Sequence, residues 1–540
     1  MPKVLIIAAI MLVIPAACKK EPGNTQNPGN SSVSVLTQHN DNSRAGLNDR
    51  ETILNTSNVS SGQFGKLFDL TVDDEVYAQP LVCIPSGGAG TQPVVYIATV
   101  NNSIYAYDAL KGDLYWMKNY TGTGLRPPNV SDISAICFPY PNFTFNFGIV
   151  GTPVIDQASG TLYFVSRSTD GTSFHQYLHA VGLNDGIDKP GSPAEIRATV
   201  RGTGYGNGND TVSFDPLRNN QRQGLALVNG IVYVSWSSHG DCTPYHGWII
   251  GYDAATLSRK YAWCDTPDGV QGGIWESGMG IAADGGGNIY VTTGNGTVGL
   301  TDPADPVNRS ESAIKLSPSG SGLVVGSFFT PYNYVFLNEN DLDYGTMGTF
   351  LIPGTGYYLT GCKDGNMYLV DKDNMGGWSA SSNNIRQTIK TSGSLHCQPS
   401  WYSGSTAEYV YVWSGDDNLR AIPFIRSSGT FSETQILSNV SGPKGDSGAE
   451  ISVSSNGKVA GTGIVWASYA PDTYTELTAG PGILRAFDAN DITSELWNSG
   501  QSSADNPGNF AKFSAPTIAN GHVYLATFSN RVVVYGLKQK

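Results

Sequence analysis

Five short stretches hold side chains that could do chemistry together. They are SSHGDCTPYHGW (237–248) with Asp241, GGIWESG (272–278) with Trp275, VTTGNGT (291–297) with Asn295, NDLDYG (340–345) with Asp343, and GCKDG (361–365) with Lys363. The oxygens of Asp241, Asn295 and Asp343 are donors that suit a hard cation. A carboxylate such as Asp343 could accept a proton, Lys363 could stabilise negative charge, and Trp275 offers a flat aromatic face. Each residue also has a plainer reading. Asn-Gly is the commonest hairpin turn, Asp343 beside Asp341 suits a solvated acidic loop, Trp275 suits a core, and Lys363 before Asp364 and Gly365 suits an exposed turn. The functional reading rests on joint order and spacing. His239 and His246 bracket Asp241; with that carboxylate they have the composition of a transition-metal site, against the default of packed or hydrogen-bonded histidines.

A scaffold for these residues is written as a repeat. VVYIATVNNSIYAYDALKGDLYW from 94 recurs in β-rich form from 162, 231, 288, 357, 409, 463 and 522. The first and last starts lie seven periods apart, a mean of about sixty-one residues. Each unit reads as an apolar strand, a polar turn, a second strand, an Asp turn and often an aromatic-rich third strand. One such sheet cannot bury both faces, whereas sheets stacked radially into a β-propeller leave only short, protected edges. The last unit reaches the C-terminus with no room for a fourth strand, and GKLFDLTV (65–72), with alternating Phe68, Leu70 and Val72, can supply it from the N-terminal side. The fold class is therefore all-β, an eight-bladed propeller closed by an N-terminal strand; seven blades result if the divergent second or sixth unit is not one.

Composition agrees. Sixty-five glycines, twenty-nine prolines and twenty-eight tyrosines, with 14% charged residues, favour short strands joined by turns. No convincing helical period follows the leader. MPKVLIIAAIMLVIPAAC has one Lys and then an apolar run from Val4 to Ile14, too short for a bilayer span and typical of a secretory leader. Ala16 and Ala17 before Cys18 resemble a bacterial lipoprotein cleavage site, although Pro15 departs from the usual aliphatic residue; the alternative is a plain signal peptide. The expected division is a leader at 1–17, a lipid anchor at Cys18 with a flexible tether to 33, and a single propeller over 34–540. The expected location is outside the cytoplasm, lipid-anchored at the outer membrane on its periplasmic or cell-surface side, with the membrane met through the anchor alone. A net charge of −13 disfavours nucleic acid and anionic lipid. Six cysteines after Cys18 leave the pairing open, without CxxC spacing for zinc or CxxCH for haem. HExxH, GxSxG and P-loop motifs are absent as well.

In this order the stretches resemble the quinoprotein alcohol dehydrogenases, eight-bladed propellers that hold pyrroloquinoline quinone and calcium on the axis. AYDALKGDLYW (106–116) is similar to the family's blade motif, with Trp116 as the docking residue, and QHNDNSRAGLNDRETILNTSNVSSGQFGKLF (38–68) to its opening segment. The resemblance implies that Trp275 stacks under the quinone, that Asn295 binds calcium, that Asp343 is the general base and a further ligand, and that Lys363 touches the quinone oxygens. It also implies a metal-binding Glu in the third blade; no Glu occurs in 237–248, and Asp241 is the nearest carboxylate. The family's vicinal cysteine pair is reduced to Cys137, and an expected Asn-Trp is replaced within SLHCQPSW by His396 and Cys397. PYPNFTFNF (139–147) could cap the axial funnel, dock a partner or be core. Two functional classes follow, a dehydrogenase of alcohols or sugars acting on a small molecule, and a non-catalytic lipoprotein propeller that binds a protein partner or serves assembly.

Overall fold

Alternating apolar residues and Asp, Asn and Gly turns build eight antiparallel sheets of four or more strands, arranged as a propeller. The computed structural model describes residues 32–86, 92–137, 143–445, 447–471 and 480–539. The leader, Cys18, nearly all of the tether and residues 139–142 of the aromatic loop lie outside the described residues. The first blade runs outward through Leu81–Cys83, Val94–Ala98, Ser103–Asp108 and Leu114–Asn119. Thr517–Ala519, His522–Ala526 and Arg531–Leu537 form the last blade, and Phe64–Thr71 pairs antiparallel with its outer side. That pairing closes the ring with the N-terminal strand the alternation pointed to. Helix is confined to Val130–Ser134, Tyr334–Glu339 and three 3-10 turns among the described residues.

The recurring Asp explains how the turn after the third strand is made. Asp108, Asp253, Asp371 and Asp488 each accept backbone N–H groups two or three residues on, the Asx geometry that replaces a backbone turn. Core lies between blades: Phe64, Trp466, Trp497 and Tyr535 pack the seventh blade against the eighth. Trp116 donates its indole N–H to Leu183 O at 3.0 Å, docking the first blade on the second. Each large apolar side chain buried in this way contributes about 1.5–3 kcal/mol.

A strap from Val35 to Asn48 runs round the axis where the inner strands end. It meets the blades in turn at Val82, Ile155, Leu225, Ala283, Leu351, Trp401, Val453 and Ile518, by bonds from Val35, Leu36, Thr37, Asn42, Ser43, Ala45, Gly46 and Asn48. Arg44, fully buried, donates to Ile281 O, Thr37 Oγ1, Gln38 O and Leu225 O at 2.7–3.0 Å. Gln38 bonds Gln398, which in turn donates to Ser277 O and Phe513 O. Through that pair the strap is joined to residues at the other end of the axis.

Candidate functional site

The candidate stretches lie either just before an inner strand or between the second and third strands of a blade, which puts them all at the end opposite the strap. Asp343 shows this directly: it precedes the inner strand Tyr344–Leu351, whose last residue is bonded to the strap through Ser43. An axial chamber of about 140 Å3 opens there, and Asp241, Trp275, Asp343 and Lys363 all line it.

Asn295 does not turn a hairpin. Strand Ile289–Thr292 stops before it and the next begins at Ala313, so residues 293–312 form a long loop that dips to the axis. Gly294 N donates to Gly272 O and Gly273 O at 3.0 Å, and Gly272 N donates to Asn295 O at 2.7 Å. The Gly-Gly before Trp275 is thus bonded to the Gly-Asn at 294–295. A methyl group on Gly294 would lie 2.3 Å from Asp343 Oδ1 and 2.7 Å from Trp275 Cδ1, so only glycine lets these groups close up.

Asn295 N donates to Asp343 Oδ1 at 2.8 Å, and its side-chain Nδ2 donates to Asp341 Oδ1 at 2.8 Å. Its side-chain Oδ1 is buried without a hydrogen-bond partner. Lys363 Nζ lies 2.6 Å from Asp343 Oδ2 and 3.2 Å from Asp341 Oδ1. Burial works against the Lys363 charge, but Asp343 and Asp341 more than restore it and hold the ammonium above its ordinary value. Asp241 Oδ1 accepts the Tyr245 hydroxyl at 2.6 Å. Burial pushes the Asp241 carboxyl up, and the charge of Asp343 adds to that.

Several site residues carried no signal in the sequence. Arg222 donates Nε–H to Trp275 O at 2.9 Å, and its guanidinium lies 5.3 Å from the Trp275 ring and 4.8 Å from the Phe513 ring. Lys512, Phe513, Asp341 and His396 also line the chamber, while Cys397 is buried in the core behind it. Glu311, fully buried beside Asp343, is pushed well above the carboxylate range by burial and then by the Asp343 charge. Gln271, Glu276, Ser277, Glu311, Asp341 and Phe513 all have φ between 43° and 65°. Left-handed backbone at non-glycine residues costs on the order of 1–3 kcal/mol each, and such strain gathers at functional sites.

Other readings of the same loops are resolved by their contacts. His246 has Nδ1 on Thr266 Oγ1 and Nε2 on Tyr205 O, and His239 packs 4.8 Å from the Phe147 ring. Among the described residues no group of three or more His, Cys, Asp or Glu is arranged to hold a metal by itself. Cys137, which has no vicinal partner, is bonded to Cys242 next to Asp241, tying the loop after Val130–Ser134 to the chamber wall. Cys83, Cys264, Cys362 and Cys397 are buried and free. Phe143, within the aromatic loop, lines a recess that shares Arg222, Lys512 and Phe513 with the chamber.

No family model matches the chain, and no curated protein matches it. Solved structures do. A quinohemoprotein alcohol dehydrogenase from Pseudomonas putida HK5 superimposes with a TM-score of 0.58 at 13% identity, over 94% of this chain and 81% of that one. The quinohemoprotein alcohol dehydrogenase of Comamonas testosteroni gives 0.57, also at 13% identity and with the same coverage of both chains. At that identity the likeness is one of fold. The chain is thus an eight-bladed β-propeller with the fold of the quinohemoprotein alcohol dehydrogenases.

Proposed function

We propose that the chamber binds pyrroloquinoline quinone with a calcium ion and that the protein is a quinone-dependent dehydrogenase of alcohols or sugars. One observation carries this reading: Trp275, Asn295, Asp343 and Lys363, spread over 89 residues of sequence, meet at one end of the axis around one carboxylate. The residues fit the group. A planar, multiply anionic ring suits a chamber with the Trp275 indole on one wall and Arg222, Lys363 and Lys512 around it. The buried, unpartnered Asn295 Oδ1 is the kind of oxygen a hard cation takes. Asp343 adds a carboxylate from the wall, and Asp241, bonded to the Tyr245 hydroxyl, lies on the same lining.

When bound, the quinone supplies a two-electron acceptor and the cation polarises it. The chain's own part is to hold and aim. Asn295 N–H and Lys363 fix both oxygens of Asp343, so the carboxylate has one orientation in which to receive an alcohol proton. Lys363 pairs with Asp343 Oδ2 and Asp341 Oδ1 and offers its third N–H to negative charge forming nearby. Arg222 holds the Trp275 carbonyl and covers both Trp275 and Phe513, which keeps the aromatic wall in place and water out.

We also propose that the protein is exported and anchored through Cys18 to the outer membrane, on the basis of its leader. A second reading is a non-catalytic propeller that binds a protein at the same end, favoured by the absence of a glutamate from 237–248. One experiment separates the two. The full-length protein is mixed with calcium and pyrroloquinoline quinone and followed by calorimetry and by dye reduction with alcohols. Binding and turnover that are lost in Asn295→Ala and Asp343→Ala support the enzyme. No binding in the wild type sinks it.

A further inference from the structure

The third blade has no glutamate to give a cation, and Asp241 already accepts the Tyr245 hydroxyl. The fourth blade brings one from the far side of the 293–312 loop. Glu311 N donates to Gly294 O at 2.9 Å, beside Asn295. Its Oε2 accepts Tyr344 N–H at 2.7 Å, beside Asp343. Asn295 N–H closes the triangle on Asp343 Oδ1 at 2.8 Å. The side chains of Asn295 and Asp343 thus hang from two adjoining stretches of backbone, 294–295 and 343–344, that Glu311 clips together.

Two oxygens in this group have no hydrogen-bond partner, Glu311 Oε1 and Asn295 Oδ1, in residues that are 0% and 5% exposed. Leaving a buried polar atom unpaired costs about 1–3 kcal/mol, and a charged one costs more. Glu311 is also held at φ 48°, a conformation a side-chain-bearing residue adopts at a cost. Two unpaired oxygens of the hard type, on residues that hydrogen bonds tie to the backbone on either side of Asp343, a carboxylate that does line the chamber, call for a partner.

We propose that Glu311 is a ligand of a divalent, calcium-sized cation, taking with Asn295 the place that a third-blade carboxylate would otherwise fill. Calcium takes six to eight oxygens in flexible geometry, so an amide and two carboxylates leave room for water and for oxygens of the bound molecule. The absence of a ready group of three carboxylates or histidines among the described residues is consistent with a site that needs the Asn295 amide and outside oxygens to be complete. This inference rests on the proposed quinone only for those last oxygens; the protein ligands are independent of it.

The alternative is that Glu311 only clips Tyr344 N–H, and Glu311→Gln keeps that acceptor. Full-length protein stripped with a chelator is titrated with calcium by calorimetry and with terbium by luminescence sensitised through Trp275, without quinone. Wild type is expected to bind one ion. Glu311→Gln and Asn295→Ala are each expected to weaken it about tenfold or more, while Asp241→Asn changes it by less than about threefold. Thermal midpoints of the variants identify any that misfold, and either of the first two variants suffices as the reading. Wild-type affinity in Glu311→Gln or Asn295→Ala, loss confined to Asp241→Asn, or no ion bound by the wild type would overturn the proposal. Quinone calorimetry run beside these titrations reads the proposed function separately, since ion binding without quinone binding leaves Glu311 a ligand and removes only the dehydrogenase.

Discussion

At the strap end of the axis, Arg44 makes four hydrogen bonds to neighbouring carbonyl and hydroxyl oxygens, although burial lowers its pKa to about 10. Polar atoms at the chamber end are left unpaired: Asn295 Oδ1, Glu311 Oε1, Trp275 Nε1 and Thr346 Oγ1. Both ends are built of buried polar groups in one ring. The difference is that Arg44 at the strap end is satisfied from within the chain, with His39 Nε2 the one strap side-chain atom buried without a partner among the described residues, whereas the chamber end holds several groups in place that the chain does not satisfy. A native fold tolerates the second arrangement where something else is to be bound.

Breaking the strap end is expected to cost the most stability. Arg44→Met removes the guanidinium from the carbonyls of Gln38 and Ile281 and leaves Leu225 O to Thr37 alone, and should lower unfolding free energy by roughly 4 kcal/mol or more in urea titration. At the chamber end the largest effect should be on turnover. Asp343→Asn keeps the shape but removes the proton acceptor, and dye-linked alcohol oxidation should fall about 10²-fold or more. If the same variant turned over at the wild-type rate, Asp343 would be an ion-pair partner of Lys363 and no base.

A smaller change sharpens the contrast. Gly294→Ala pushes a methyl group into Asp343 and Trp275, and is expected to weaken quinone binding by about tenfold in calorimetry while the urea midpoint moves little. The smallest effect sits between the two ends. Glu276 is buried next to Trp275 with its Oε1 accepting from Thr292 and its Oε2 unpaired, and burial raises its pKa from 4.5 to about 8. Because the folded state holds the proton more tightly than the unfolded chain, this group's contribution is complete below pH 4.5 and is lost as the pH rises through about 8. Wild-type stability should therefore fall across that window relative to Glu276→Gln, measured by urea midpoints at a series of pH values. Parallel curves for the two proteins would show that Glu276 is already ionised in the fold.

Much of the architecture was legible along the chain. The alternation in Phe64–Thr71 and the Asp turns at Asp108, Asp253, Asp371 and Asp488 act within a few residues, so a repeat of such signals fixes the blades and leaves a closing strand to be found. Trp275, Asn295, Asp343 and Lys363 were picked out by order and spacing because each sits at a set place in its blade. Asn295 was legible as a candidate residue yet misleading as a turn, since Asn-Gly suits a hairpin and only the 293–312 loop shows that none is made.

Arg44, Arg222, Glu311 and Lys512 were not legible. Nothing within reach of each along the chain distinguishes it from a surface charge, and its role exists only after the ring closes. Arg44 then meets carbonyls from the third and fourth blades, Arg222 lies over rings from Trp275 and Phe513, and Glu311 reaches from Gly294 to Tyr344. The sequence by itself determined the eight units, their turns and the strand that joins the ends, because those depend on local alternation and turn chemistry. The tertiary structure decided which end of the axis is sealed and which is left with unpaired oxygens, because that depends on side chains from distant blades meeting in a space no single unit encloses.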